Sequence, residues 1–290
     1  MKILILCSGG DAPGMNRFTY ALMKNFDEVY YANAGFKGLC ASDIRKLNLL
    51  EIEKVKDEAG AYIRSSRFPE FKEKEVFNKG LKNALNYDAV VVLGGNGSFL
   101  GAKELAVHGA KVFFVPATID NDVVGSTYSL GFDTAVDACV HTVENCMPSF
   151  HTFSKTCLFK VMGRHCPKIA EAVFRITKAD YLIVKESDLK YDKIKKIIKK
   201  NEDADRGTAI IVKEKLIEIE ELKEKLETKP FSVRYQIVGY LQRGGKPTKT
   251  ELKNADIFAR EVARNIKKQH FNVAVMFDDA QKPFPKPLLP

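Results

Sequence analysis

Short runs rich in Val, Ile, Leu and Phe recur along the chain, and most are followed by a stretch whose apolar residues return at helical spacing. Runs at 2–7, 29–33, 89–93, 111–115, 156–161, 181–184, 208–212, 235–240 and 273–276 predict strands. Segments 16–25, 74–85, 99–108 and 133–146 predict helices. In 188–200, Ile194, Ile197 and Ile198 form an apolar stripe among lysines, as on a solvated amphipathic helix. The charged stretch 213–229 predicts a surface helix before a loop, and the proline-rich end 282–290 predicts an extended tail. This alternation predicts an α/β fold built from βαβ units, with mostly parallel sheets covered on both faces. In such sheets ligands gather beyond the carboxyl ends of the strands.

At 290 residues the chain suits two modest domains or one large α/β unit. A hydrophobic share of 45% with 29% charged residues is ordinary for a globular protein with a real core. No run approaches the roughly 18 apolar residues of a membrane span, and the first strand is too short for a signal-peptide core. A cytoplasmic protein without membrane contact is expected. The six cysteines show no C-x-x-C pair and no metal-ligand rhythm with the five histidines, so they read as reduced, mostly buried thiols. A net charge of +9 raises nucleic acid as a partner. The lysines lie on amphipathic stretches, however, without aromatic interleaving, so nucleic-acid binding is not expected. The same charge suits phosphate-bearing ligands.

Three segments at predicted strand ends carry chemistry. Ser8-Gly9-Gly10-Asp11-Ala12-Pro13-Gly14-Met15-Asn16 lets backbone approach an anion and leads into a helix N-terminus; it also reads as a tight strand-to-helix turn. Leu93-Gly94-Gly95-Asn96-Gly97-Ser98 repeats the pattern and strengthens the phosphate reading. A Walker A loop is absent, because the run ending in Gly244-Gly245-Lys246-Pro247 has the wrong spacing. Pro116-Ala117-Thr118-Ile119-Asp120-Asn121-Asp122 places two carboxylates and a hydroxyl together. One acid can take a hydroxyl proton and the other can face a metal ion; the alternative is an Asx-rich capping turn. Arg67, Arg164 and Arg243 stand in loops, two of them beside glycines, as anion-capturing or plain surface arginines.

Together these segments resemble the ATP-dependent 6-phosphofructokinase family, in order from Gly9 to about Arg264, through S-G-G-D-A-P-G-M-N, R-F-P-E-F, T-I-D-N-D, G-F-D-T-A, M-G-R and Q-R-G-G. The resemblance implies two similar Rossmann-like domains with the active site between them: a nucleotide domain of 1–131 plus 244–290 and a sugar-phosphate domain of 132–243. It implies phosphorylation of fructose 6-phosphate at the 1-hydroxyl, in glycolysis, with Asp120 as base. Thr118 and Arg164 would steady the moving phosphoryl group, with Arg67 and Gly10 also counted among the catalytic residues. Gly10, Phe36, Arg67, Phe68, Lys72, Gly95, Asn96, Gly97, Ser98 and Gly101 would line the ATP. Thr118, Asp120, Asp122, Lys155, Met162, Gly163, Arg164, Glu214, Arg234, Tyr240 and Arg243 would hold the sugar phosphate. Asn96 and Asp122 would face Mg2+. Lys155 and Arg234 would complete a neighbour's site in a homo-oligomer, a tetramer or dimer.

The sequence departs from that pattern in places. The family's usual aspartate in the glycine loop is Asn96, which removes one charge near the metal, although the Asn96-Gly97 pair invites deamidation that would restore it. Tyr240 stands for a usual histidine and Lys155 for a usual arginine. Gly97 and Ala117, where pyrophosphate-dependent relatives tend to carry Asp and Lys, favour ATP as donor. At the family's regulatory nucleotide site, positions Tyr20, Leu49, Met147, Asp203 and Asp205 lack the usual cations; Lys24 and Glu186 remain. Weak or absent ADP activation and phosphoenolpyruvate inhibition are therefore expected. The chain stops soon after Met276, so the family's final helix is expected to be missing. Two other readings stay open: a catalytically weak ligand-binding subunit, motivated by Asn96 and Tyr240, and a kinase for another sugar phosphate, such as tagatose 6-phosphate or sedoheptulose 7-phosphate.

Overall fold

The computed structural model describes residues 1–227 and 232–289. The chain divides into two compact units, Met1–Thr134 with Arg243–Pro290, and Ala135–Gln242. The first unit opens with β1 (Lys2–Ser8), α1 (Met15–Met23), β2 (Glu28–Ala32), α2 (Phe36–Cys40), β3 (Ile44–Lys46), α3 (Leu49–Val55) and β4 (Ser65–Ser66). It continues through α4 (Lys74–Ala84), β5 (Ala89–Gly94), α5 (Asn96–Val107) and β6 (Val112–Pro116) to the long helix α6 (Phe132–Thr152). The second unit holds β7 (Thr156–Val161), α7 (Lys168–Thr177), β8 (Tyr181–Ile183), α8 (Tyr191–Glu202), β9 (Thr208–Lys213), α9 (Ile219–Leu226) and β10 (Val233–Ile237). After the short α10 (Leu241–Gly244), the chain closes the first unit with α11 (Lys249–Lys267), β11 (Val273–Phe277) and β12 (Pro283–Pro287).

In the first unit the sheet runs β12-β11-β6-β5-β1-β2-β3, with β4 pairing the end of β1. Among the described residues of this sheet, only the edge strands β3 and β12 pair antiparallel. All of β5 is buried, as expected for a strand covered on both faces. Alternation sorts its neighbours: Ile3, Ile5, Val91, Leu93 and Phe113 pack with Phe18 of α1 and Phe258 and Val262 of α11. Leu4, Leu6, Val90, Val92 and Phe114 face the other way, against Leu105 of α5 and Phe36 and Leu39 of α2. The second unit has a four-stranded sheet, β10-β7-β9-β8, parallel throughout. Its Leu158, Ile210 and Val212 pack against Ile194 and Ile198 of α8 and Leu222 of α9. The fold is thus α/β with mostly parallel sheets.

Three local expectations are corrected. The proline-rich end is not a free tail, because 283–287 pairs antiparallel with β11 and Leu288 is buried. Proline tolerates this edge position, where a lost N–H faces outward. The strand expected at 235–240 lies at Val233–Ile237, since Gly239 adopts a positive φ of 54° and turns the chain. In 213–229, Lys213 ends β9 and the helix is Ile219–Leu226; residues 228–229 of that expectation lie outside the described residues. After β11 the described residues hold a strand and no helix. No described helix is long and apolar enough to cross a membrane, and all six cysteines are free thiols.

Candidate active site

Register brings three chemistry-bearing segments of the first unit to one level. Ser8 of β1 pairs with Gly94 of β5, which pairs with Pro116 of β6, so the loops after these strands leave the sheet side by side. The first two interlock: the Ser98 hydroxyl donates to the Ser8 carbonyl at 3.0 Å. A Cβ on Gly94 would lie 2.3 Å from that hydroxyl oxygen and 2.5 Å from Ser8 O, so only glycine lets α5 begin this close to β1. Beside Gly97 a side chain would meet nothing within 4 Å. The opening turn of α5 carries no acidic residue, leaving its N–H groups available to an anion.

The third loop is a pinned turn. Asn121 holds a left-handed φ of 51°, donates from Nδ2 to Thr127 O at 3.1 Å and accepts from the Ser129 hydroxyl at 3.1 Å. The Asp120 N–H donates to Thr118 Oγ1 at 3.3 Å, and the single Ser129 hydroxyl proton is shared between Asn121 Oδ1 and the nearer Thr118 O at 2.7 Å. An Asx turn is therefore present, centred on Asn121 and flanked by Asp120 and Asp122, but the next helix, α6, starts at Phe132, so the turn caps no described helix. Asp120 is buried and Asp122 exposed, two environments suited to two different tasks.

This loop also meets the second one. Asn96 Nδ2 donates to Asp122 O at 3.2 Å, and a Cβ on Gly95 would sit 3.6 Å from Thr118 Cβ. No described cluster of three His, Cys, Asp or Glu could cage a metal. Magnesium at phosphoryl-transfer sites is usually held by one or two carboxylates plus substrate phosphates, and one carboxylate, Asp122, with one amide oxygen, Asn96, fits that arrangement.

Phe36 is buried, stacked on Phe71 at 4.3 Å, and its ring lies where a Cβ on Gly101 would come within 2.8 Å. Arg67 and Lys72 are exposed on the segment after β4, with Phe68 half-buried between them. Arg243, expected at the sugar phosphate, lies over the first glycine loop. Its Nη1 donates to Asp11 O at 2.9 Å and would be 2.4 Å from a Cβ on Gly10.

In the second unit, Met162, Gly163 and Arg164 follow β7, with φ of 139° at Gly163 and 48° at Arg164. One carboxylate oxygen of Glu214, just after β9, accepts the Gly163 and Arg164 N–H groups at 3.3 and 2.8 Å. Gln242 accepts the Met162 N–H at 3.0 Å. Lys155 leans over the Phe153 ring at 5.1 Å. Arg234 lies exposed on edge strand β10, 3.5 Å from Glu227, and Tyr240 is 81% exposed.

Sequence reasoning missed Glu251, which is fully buried on α11. It accepts from Tyr128 OH at 2.7 Å and from Thr134 N–H and Oγ1 at 3.3 and 3.2 Å. A Cβ on Gly14, where the first glycine loop enters α1, would lie 3.4 Å from its Oε1. Burial pushes its carboxyl up to about 7 against those donors. The available signal was the Thr248-x-x-Glu251 spacing of a helix start; Thr248 Oγ1 does accept the Glu251 N–H at 3.0 Å. The side chain, however, turns inward.

Glycine turns at the carboxyl ends of adjacent parallel strands, with acids alongside, define an α/β protein arranged for a phosphate-bearing ligand. The chain belongs to the phosphofructokinase family, whose model matches residues 2–266. It is 33% identical over 293 residues to the "Probable ATP-dependent 6-phosphofructokinase" of Malacoplasma penetrans, covering 96% of this chain and 91% of that one. It is 36% identical over 255 residues to the ATP-dependent 6-phosphofructokinase of Lactiplantibacillus plantarum, covering 85% and 80%. The crystal structure of Pichia pastoris phosphofructokinase in the T-state superposes with a TM-score of 0.89 at 26% identity. It covers 99% of this chain, which spans 35% of that longer one.

Proposed function

We propose that this chain transfers the γ-phosphoryl group of ATP to the 1-hydroxyl of fructose 6-phosphate, giving fructose 1,6-bisphosphate and ADP, as in glycolysis. The observation that carries the reading is the level alignment of Ser8, Gly94 and Pro116, which sets two glycine loops beside the Thr118–Asp122 acids. Family membership and the relatives' names support it.

Phosphoryl transfer asks a protein mainly for positioning and charge neutralisation. The glycine loops and the start of α5 receive the triphosphate, with Phe36, Phe68, Arg67 and Lys72 toward the rest of the nucleotide. Asp120 takes the proton from the sugar's 1-hydroxyl as that oxygen bonds to the γ-phosphorus. The bond to the β–γ bridging oxygen breaks, and its electron pair leaves on ADP. Thr118 and Arg164 steady the phosphoryl oxygens in passage. Met162, Gly163, Glu214 and Arg243 bind the sugar phosphate. Asp122 and Asn96 would hold Mg2+, which supplies neutralisation of phosphate charge when bound.

Gly97 and Ala117, in place of the Asp and Lys that pyrophosphate-dependent relatives tend to carry, favour ATP over pyrophosphate. Arg234 and Lys155 reach a neighbouring copy's site in a homo-oligomer; the exposed Tyr235, Ile237, Tyr240 and Leu241 along and beyond edge strand β10 support such a contact. The protein works in the cytoplasm.

Asn96, an amide at the expected magnesium carboxylate, favours one second reading: a weakly catalytic sugar-phosphate-binding subunit. Assays with magnesium and ATP or pyrophosphate, run over a panel of sugar phosphates, separate the readings. The proposal expects turnover with ATP and fructose 6-phosphate. Binding without turnover would favour the subunit, and preference for tagatose 6-phosphate or sedoheptulose 7-phosphate would reassign the substrate.

A further inference from the structure

Helices α1 and α11 pack against each other in the first unit, and a cavity of about 420 Å3 opens along them. Arg17 of α1 is fixed in its wall: Nε and Nη2 donate to the two carboxylate oxygens of Asp256 at 2.7 and 2.8 Å, and Nη1 donates to Asp57 at 2.9 Å. Lys249, Lys253 and Arg260 also line the cavity. All three are exposed and, among the described residues, have no ion-pair partner. Asp256 is the one acid in the lining, and both its oxygens already serve Arg17.

The spacing 249, 253, 256, 260 places these residues on one face of α11. Like charges four apart on a helix repel, so Lys249 beside Lys253 does nothing for the helix itself. Among the described residues, the four cations have two carboxylate partners, Asp57 and Asp256, both on Arg17, and a concave wall concentrates the resulting positive potential. The volume falls within the roughly 300–1,000 Å3 of small-molecule sites. Lys249 and Arg260 are separated by about 16 Å of helix axis at ~1.5 Å per residue, a span one phosphate cannot bridge and a short phosphate chain with lysine and arginine side chains can. None of these residues belongs to the loops of the candidate active site.

We propose that this cleft is a second anion site, which binds a small polyphosphate, either free or as the triphosphate tail of a nucleotide. Arg17, already oriented by its carboxylates, forms the fixed wall, and Lys249, Lys253 and Arg260 close on the chain of phosphates.

The test is calorimetric titration of the full chain with sodium tripolyphosphate at low ionic strength without divalent metal, with hydrogen exchange to locate the contact. Tripolyphosphate can also meet the candidate active site, so the informative component is the one that responds to Lys253→Ala/Arg260→Ala. That pair is expected to weaken one saturable component at least tenfold and to remove tripolyphosphate-induced protection over 249–260. A control pair on the solvated face of α8, Lys196→Ala/Lys199→Ala, is expected to leave both unchanged. Metal-free ATP displacing the component would identify the nucleotide tail as a ligand, and failure to displace it would identify free polyphosphate. Identical binding by all three proteins, equal losses in both pairs, or no saturable binding below about 1 mM would overturn the proposal.

Discussion

Asn96 donates its side-chain amide to the backbone oxygen of Asp122 at 3.2 Å, tying the start of α5 to the acidic loop after β6. The bond places an uncharged side chain where the proposed function asks for help in holding magnesium. Asn96→Asp loses the donor and gains a carboxylate. We expect the magnesium concentration for half-maximal turnover to fall several-fold, with a rate gain largest at low magnesium, read from initial rates over a magnesium series. An unchanged magnesium requirement would remove Asn96 from the metal site.

Glu251 predicts the pH dependence of stability. Burial raises its carboxyl from the ordinary 4.5 to about 7. Between those values the folded chain holds a proton that the unfolded chain has released, so stability falls as pH rises. The contribution is fully present below the unfolded value of 4.5 and is lost as pH climbs through about 7. Its size is on the order of 3 kcal/mol. Glu251→Gln, which cannot ionise, should flatten the stability profile from about pH 5 to 8 in denaturant titrations. A variant as pH-dependent as the parent would assign the dependence to other groups.

Gly94 is the tightest packing point between the two glycine loops. In Gly94→Ala the new methyl would meet Ser98 Oγ at 2.3 Å and the Ser8 carbonyl at 2.5 Å, and the latter is backbone that cannot rotate away. We expect a stability loss of about 1–3 kcal/mol by chemical denaturation, with weakened nucleotide binding. Gly97→Ala, with nothing within 4 Å, should cost far less stability.

Regulation by the family's usual effectors is expected to be weak. Tyr20 directs its hydroxyl to Glu53 at 3.0 Å, Lys24 and Lys56 lie over its ring, and Asp203 and Asp205 are exposed acids. Adding ADP or phosphoenolpyruvate at sub-saturating fructose 6-phosphate should change the rate less than twofold or so. A several-fold change would show that other residues rebuilt the site.

Much of this was legible because it is periodic or local. β5 is an unbroken apolar run ending in glycines, and the spacing of Ile194 and Ile198 fixed the buried face of α8. Other features depend on distant partners. β12 exists because β11 offers an edge to a proline-rich segment that has no strand signature. Glu251 looks like a helix-start residue until Tyr128 and Thr134 are brought over it. Arg243 lies 232 residues from Asp11 in sequence, and no local pattern announces that contact. The lining of the α1–α11 cleft reads in sequence as ordinary solvated charge.

In the proposed reaction Asp120 takes the proton from the sugar hydroxyl. The direct measurement is steady-state turnover of Asp120→Asn with ATP and fructose 6-phosphate, beside thermal unfolding and sugar-phosphate binding. The amide keeps the side chain's shape but is a far poorer proton acceptor. Turnover should fall by about 10²–10⁴, while binding and melting temperature stay near those of the parent. Turnover within a few-fold of the parent in a folded, substrate-binding variant would rule Asp120 out as the base.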